Sequence, residues 1–236
     1  MTHVVLGYPS IEECYGIIEA MVEAGVDLME LQIPFSDPVA DGPVILRAGH
    51  EALRRGATVS DCLDLAAEVA SRFDIPFLIM SYYNILFKYG TARFVSAMAK
   101  KGLRGSIIPD LPPEEGEEYL REMEEEGLDP IITFSPATPP ERMRFLASSG
   151  RGFIYCIARK GVTGEDTAFS RGLSAYMERC REATDLPLAL GFGVKEKSDI
   201  DFLKGKADIA VIGTQTIRIV ERSGIASVGG FIRGLR

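Results

Sequence analysis

The sequence predicts one closed (β/α)8 barrel, a TIM barrel, over residues 1–236. Three observations predict it. Eight short apolar runs alternate with longer amphipathic segments along all 236 residues. The second run carries a carboxylate, Glu30, within an otherwise buried-looking strand. Glycine-bearing turns follow the seventh and eighth runs, where barrels of this class place a phosphate site.

The strand-like runs are His3–Leu6, Leu28–Ile33, Phe77–Ser81, Gly105–Ile108, Pro130–Phe134, Phe153–Ile157, Leu186–Leu190 and Asp208–Ile212. Helical patterns lie between them. Ser10–Ala24 opens on a Ser cap and stops at Gly25. Val44–Arg55 follows Pro43 and stops at Gly56. Thr58–Arg72, Thr91–Lys101, Pro113–Glu126, Pro139–Ser149, Phe169–Thr184 and Lys195–Lys204 continue the series, and Thr214–Arg222 and Ala226–Leu235 close it. A doubly wound open sheet is the main competitor. The first turn, Leu6-Gly-Tyr-Pro-Ser10, lacks the G-x-G-x-x-G that would favour it. No composition shift marks a second domain. The first run begins almost at Met1, so the barrel is expected to lack an extra N-terminal helix.

With 46% hydrophobic residues the chain can fill a substantial core. A net charge of −8 argues against nucleic acid or an anionic membrane as the main partner. No apolar run reaches membrane-spanning length and no signal peptide is evident, so a cytoplasmic location is expected. Cys14, Cys62, Cys156 and Cys180 form no C-x-x-C pair and read as buried free thiols. With His3 and His50 the only histidines, no metal site of usual ligand spacing exists.

Side chains alternate along a strand, so Leu28, Glu30 and Gln32 share one face, and Met29, Leu31 and Ile33 share the other. The apolar face suits packing against helices. The face that turns polar towards the strand's C-terminal end suits the lining of a barrel active site. A buried carboxyl has its pKa raised and is a candidate for proton transfer; a structural ion pair with Arg or Lys is the competing reading. On local grounds Asp37-Pro38 and Asp41-Gly42-Pro43 read as turn or helix-start residues. Asp110 reads as loop-shaping or a partner contact, and His50 as a surface or satisfied histidine.

Gly191-Phe-Gly-Val194 and Ile212-Gly-Thr-Gln215 form the expected phosphate end, with close backbone approach and a helix N-terminus. Lys160-Gly-Val-Thr-Gly164 has the length to fold over a ligand, and the Gly161–Ala168 loop is a candidate lid.

Glu30-Leu-Gln-Ile-Pro-Phe-Ser-Asp-Pro-Val-Ala-Asp-Gly-Pro43 is a highly specific motif. With Tyr82-Tyr-Asn84, Pro109-Asp-Leu-Pro-Pro113, Gly161-Val-Thr-Gly164, Gly191-Phe-Gly193 and Val211-Ile-Gly213, it resembles the tryptophan synthase α subunit family over nearly the whole chain. The resemblance implies a lyase that cleaves indole-3-glycerol phosphate to indole and glyceraldehyde 3-phosphate. It implies no metal or organic cofactor in this subunit, and a β subunit as partner in an α2β2 complex. Position by position, Glu30 is implied as general acid/base and Asp41 as the second catalytic carboxylate. Tyr155, Tyr82, Gln32 and His3 are implied at the substrate, and Gly164, Phe192, Gly193, Gly213 and Thr214 at its phosphate. Tyr82 is expected in the pocket wall and Tyr83 in packing.

The chain departs from the family pattern at four places. Gln32 stands where glycine is usual, about 6.5–7 Å along the strand from Glu30. There it can hydrogen-bond Glu30, narrow the pocket or replace a water. His3 stands where an aromatic ring lines the indole pocket, and a stacking role is open to it. Ile85 replaces a proline, and Thr214 replaces a serine. These departures mark a divergent member. Two alternatives stay open beside the family reaction: a stand-alone or altered-substrate lyase, and a weakly catalytic paralogue that binds a β-like partner.

Overall fold

Eight strands pair in chain order, each parallel to the next: β1 (Thr2–Val5), β2 (Met29–Gln32), β3 (Phe77–Met80), β4 (Gly105–Ile107), β5 (Asp129–Phe134), β6 (Ile154–Ile157), β7 (Leu188–Gly191) and β8 (Ile209–Ala210). The computed structural model describes residues 1–158, 166–191 and 193–236, without the side chains of 166–171. The sheet closes on itself just past β8. Thr2 bridges Ile212 in parallel, the His3 N–H donates to Ile212 O at 2.9 Å, and the Ile212 N–H donates to Met1 O at 3.1 Å. The expected TIM barrel is therefore present, with every edge paired.

Helices return the chain between strands. They are α1 (Ile11–Glu23), α2 (Pro43–Arg54), α3 (Val59–Arg72), α4 (Tyr83–Tyr89), α5 (Thr91–Lys100), α6 (Glu117–Glu125), α7 (Pro140–Ser148), α8 (Asp166–Ala183), α9 (Lys197–Leu203), α10 (Thr214–Ser223) and α11 (Val228–Gly234). Local signals explain most starts. Ser10 Oγ accepts the Glu13 N–H, and Thr58 forms a reciprocal capping box with Asp61. Several starts differ from expectation: α8 begins at Asp166, three residues before Phe169, and α9 at Lys197, two after Lys195. Pro112 and Pro113 head a turn, bonded to the N–H groups of Glu115 and Gly116, so α6 begins four residues later than its pattern does. The seven-residue α4 was not expected at all. Its first N–H, of Tyr83, is capped by Asp110 Oδ1 at 2.9 Å, from the loop after β4. Asp110 is thus loop-shaping.

The two faces of β2 part as the alternation requires. Met29, Leu31 and Ile33 are buried with α1 and α3 side chains such as Ile18, Met21, Leu63 and Ala66. Each such burial contributes about 1.5–3 kcal/mol. Inside the barrel, Met1, Leu78, Phe153, Ala189 and Val211 form an apolar core. All four cysteines are buried free thiols.

Gly105 on β4 lies tight against the backbone of β5. A Cβ on Gly105 would stand 2.2 Å from the Asp129 carbonyl oxygen, which is backbone and cannot swing aside. Gly105→Ala is therefore expected to cost about 2–4 kcal/mol. Thermal and denaturant unfolding check this; a variant as stable as the parent would show that β4 and β5 part freely.

Candidate active site

The polar ends of the strands surround a cavity of about 400 Å3 at the C-terminal mouth of the barrel. His3, Glu30, Tyr155, Gly193, Gly213 and Thr214 line it together, and Gly213 packs against the His3 ring.

Glu30 sits opposite His3 of β1 and Leu78 of β3 in the sheet register, only 4% exposed. Its pKa is pushed up to about 7. Burial is the main cause; the facing His3 opposes it, and the nearby Asp41 carboxylate adds a smaller upward push. Its Oε2 atom is buried with no hydrogen-bond partner among the described residues. No ion pair among them involves Glu30, so the structural ion-pair reading falls away there. Tyr155, on β6, feels burial and the charges of Glu30 and Asp41, and its hydroxyl is held well above the ordinary tyrosine range. It therefore stays a proton-bearing hydroxyl. Gly191 leaves room for that ring: a Cβ there would stand 2.9 Å from the Tyr155 oxygen.

Asp41 does not cap α2. The cap position is Gly42, which has no side chain, followed by Pro43 at the first helical position. The Asp41 carboxylate instead accepts the Gln32 amide, Nε2 to Oδ2 at 2.6 Å. The loop that carries it is fixed at several points. The Ala40 N–H donates to the Tyr82 hydroxyl at 3.2 Å, and Phe35 stacks on the Tyr82 ring with centroids 5.2 Å apart. His50 reaches Ser36 O at 2.8 Å, and Ser36 Oγ donates to Asp37. Asp37 and His50 thus hold the loop.

The hydrogen bonds narrow the readings of Gln32 and Tyr82. Gln32 does not bond to Glu30. Its amide spans from Asp41 to His3, whose Nε2 lies 2.6 Å from Gln32 Oε1. His3 lines the cavity with that nitrogen engaged, and a Cβ on Gly213 would stand 3.1 Å from its Nδ1. Tyr82 is fully buried behind the Asp41 loop and does not line the cavity. The loop from β2 covers it, through Ala40 and Phe35.

Helix α10 opens at the cavity with Gly213 before it and Thr214 as its first residue. A helix start carries unpaired N–H groups and the positive end of the helix dipole. Lys195 and Arg218 add two cationic side chains to the lining. Neither was singled out from the sequence. Arg218 had a signal, since it lies four residues after Thr214 and so on the same helix face. Gly164, Phe192, Lys160 and most of the Gly161–Ala168 loop lie outside the described residues. Among the described residues, no group of three His, Cys, Asp or Glu side chains is placed to hold a metal ion.

Fold and cavity define a class: a TIM-barrel enzyme with a buried carboxyl and a helix N-terminus in one cavity. The family model described as tryptophan synthase alpha chain matches residues 1–228. A tryptophan synthase alpha chain from Desulforapulum autotrophicum is 61% identical over 235 residues, covering 100% of this chain and 93% of that one. One from Syntrophotalea carbinolica is 57% identical over 236 residues with the same coverage. The structure superposes on tryptophan synthase from M. tuberculosis in its aminoacrylate-bound form. The TM-score is 0.89 and the identity 29%, over 99% of this chain and 90% of the other. The chain belongs to the tryptophan synthase alpha chain family.

The pKa of Glu30 carries a stability consequence with a definite sign. An unfolded glutamate titrates near 4.5, and the folded one near 7. Between these values the folded state keeps a proton that the unfolded state releases, so stability falls as pH rises through this window. The full loss, about 3 kcal/mol, is present above the folded pKa. Glu30→Gln removes the titration. Its stability relative to the parent should therefore rise by about 3 kcal/mol between pH 4 and pH 8 in urea unfolding. A difference that does not change with pH would show a Glu30 of ordinary pKa.

Proposed function

We propose that this chain cleaves the carbon–carbon bond of indole-3-glycerol phosphate, releasing indole and glyceraldehyde 3-phosphate, with Glu30 as the acid–base group. The observation that carries the residue roles is a buried carboxyl of pKa about 7 in the same cavity as the start of α10, in a chain of this family.

Bond cleavage needs a proton on indole C3. Glu30 is about half protonated at neutral pH, the condition under which a carboxyl serves as both acid and base. Protonation at C3 spreads positive charge to the indole nitrogen. Asp41, held by Gln32, supplies a fixed negative charge for the N1–H. Once ionised, Glu30 takes the proton from the glycerol hydroxyl as the aldehyde forms, and so returns to its starting state. Proton and charge balance over the cycle. The Tyr155 hydroxyl remains a donor beside both carboxyls. The phosphate is received by the N–H groups at Gly213 and Thr214, near Gly193, with Lys195 and Arg218 adding positive potential.

We further propose a tryptophan synthase β subunit as partner. Solved neighbours include a tryptophan synthase complex from Pyrococcus furiosus, at TM-score 0.89 and 25% identity over 99% of this chain and 95% of that one. Val39 and Phe87, 76% and 69% exposed, are apolar side chains on segments that follow adjacent strands β2 and β3 at the cavity end of the barrel. No helix among the described residues is long and apolar enough to cross a membrane.

The test is indole release from indole-3-glycerol phosphate, with and without added β subunit. The parent chain is expected to be active and stimulated by β. Glu30→Gln should lose about 10²–10⁴-fold in kcat, and Asp41→Asn about 10–10³-fold. Parent activity that ignores β would mark a stand-alone lyase. No release in either case would point to another phosphorylated substrate or a non-catalytic role.

A further inference from the structure

The hydrogen bonds around Gln32 determine where its protons lie. A carboxylate oxygen can only accept, so the group facing Asp41 Oδ2 at 2.6 Å is the Gln32 amide NH2. The reverse amide orientation would press two oxygens together. The Gln32 carbonyl oxygen then faces His3 Nε2, also at 2.6 Å. An amide oxygen only accepts as well, so His3 Nε2 carries a hydrogen. In the neutral ring, Nδ1 is left as the acceptor, and it is buried without a partner among the described residues.

The chain of bonds thus runs in one direction, from His3 to Gln32 to Asp41. Its inner members belong to the barrel wall. His3 and Gln32 are 5% and 2% exposed, on the paired strands β1 and β2. Its outer member, Asp41, sits on a loop whose residues are more open. A rigid wall therefore holds a carboxylate that the loop alone would present less sharply. Gln32 holds Asp41 Oδ2, and the Tyr82 hydroxyl adds a second side-chain contact to the same carboxylate.

We infer that Gln32 is a positioning residue for Asp41, and that His3 acts on the reaction through Gln32 by fixing the amide's orientation. This rests on the proposed lyase reading and deepens it. Gln32 does not need to touch substrate to matter. It sets the carboxylate where positive charge develops on the indole nitrogen, so its loss falls on the chemical step rather than on substrate binding.

Two measurements test this. The first is a kinetic cycle with Gln32→Leu, His3→Phe and the double variant, each checked for folding by circular dichroism. Gln32→Leu should lower kcat by about 10–10²-fold while KM moves less than about threefold. His3→Phe should lower kcat by less. The double variant should lose less than the product of the two single losses, because the part of the His3 effect that runs through Gln32 is already gone, while its direct effect on Glu30 persists. Unchanged kcat in Gln32→Leu, or losses in the two single variants that multiply in the double, would overturn the inference.

The second measurement needs no activity. Nitrogen-15 NMR of the histidines in the parent chain should show neutral His3 as the Nε2–H tautomer alone. In Asp41→Ala the Gln32 amide is free to turn over, and His3 should show a mixture of tautomers. A His3 signal that Asp41→Ala leaves unmoved would overturn the relay. If the parent chain releases no indole, the lyase reading fails, while the NMR result still judges the relay by itself.

Discussion

The structure depends on one unfavourable placement, a carboxyl inside a barrel whose interior is otherwise mainly apolar. Glu30 is forced inward by strand alternation, because its neighbours Met29 and Leu31 are committed to the helices outside. Water cannot reach it freely, and Asp41 supplies a second negative charge nearby. Both effects oppose ionisation. The barrel around it supplies enough burial to tolerate this, and the result is a group that exchanges its proton near neutral pH. An exposed glutamate would be ionised there and unable to act as an acid.

Asp41 has the opposite requirement, since its use depends on being charged and still. Its own loop contains turn-forming residues and would wander if unsupported. Tyr82 pins the backbone at Ala40, Phe35 stacks on Tyr82, and His50 holds Ser36. Gln32 then fixes the carboxylate itself. In the proposed reaction two carboxyls share one cavity with different duties, the buried one trading a proton and the loop-borne one supplying charge. The start of α10 serves the proposed phosphate without a carboxyl. Its N–H groups, with Lys195 and Arg218, give the positive potential that a phosphate seeks.

Much of this was legible in the sequence where the signal was local. Alternation along Leu28–Ile33 places Glu30 inward, and glycine turns after apolar strands mark the phosphate end. What escaped depended on distant partners. Helix α4 is capped by Asp110, twenty-seven residues further on, so no local pattern announced it. Gln32 lies closer along the chain to Glu30 than to Asp41, and only the folded loop reveals that its amide turns towards Asp41 and His3. Tyr82 follows a barrel strand and read as pocket wall, but the loop from the preceding strand lies over it. Family resemblance nominated the site residues; the tertiary contacts show which of them line the cavity and which pack behind it.

The central claim is the altered acidity of one side chain. A direct titration of the Glu30 carboxyl in the free chain, by carbon-13 NMR with Glu30→Gln to assign the signal, tests it most directly. The account predicts a midpoint near 7, with Asp41 replaced by Asn moving it down because a like charge has gone. A midpoint near 4.5, unmoved by that replacement, would contradict it.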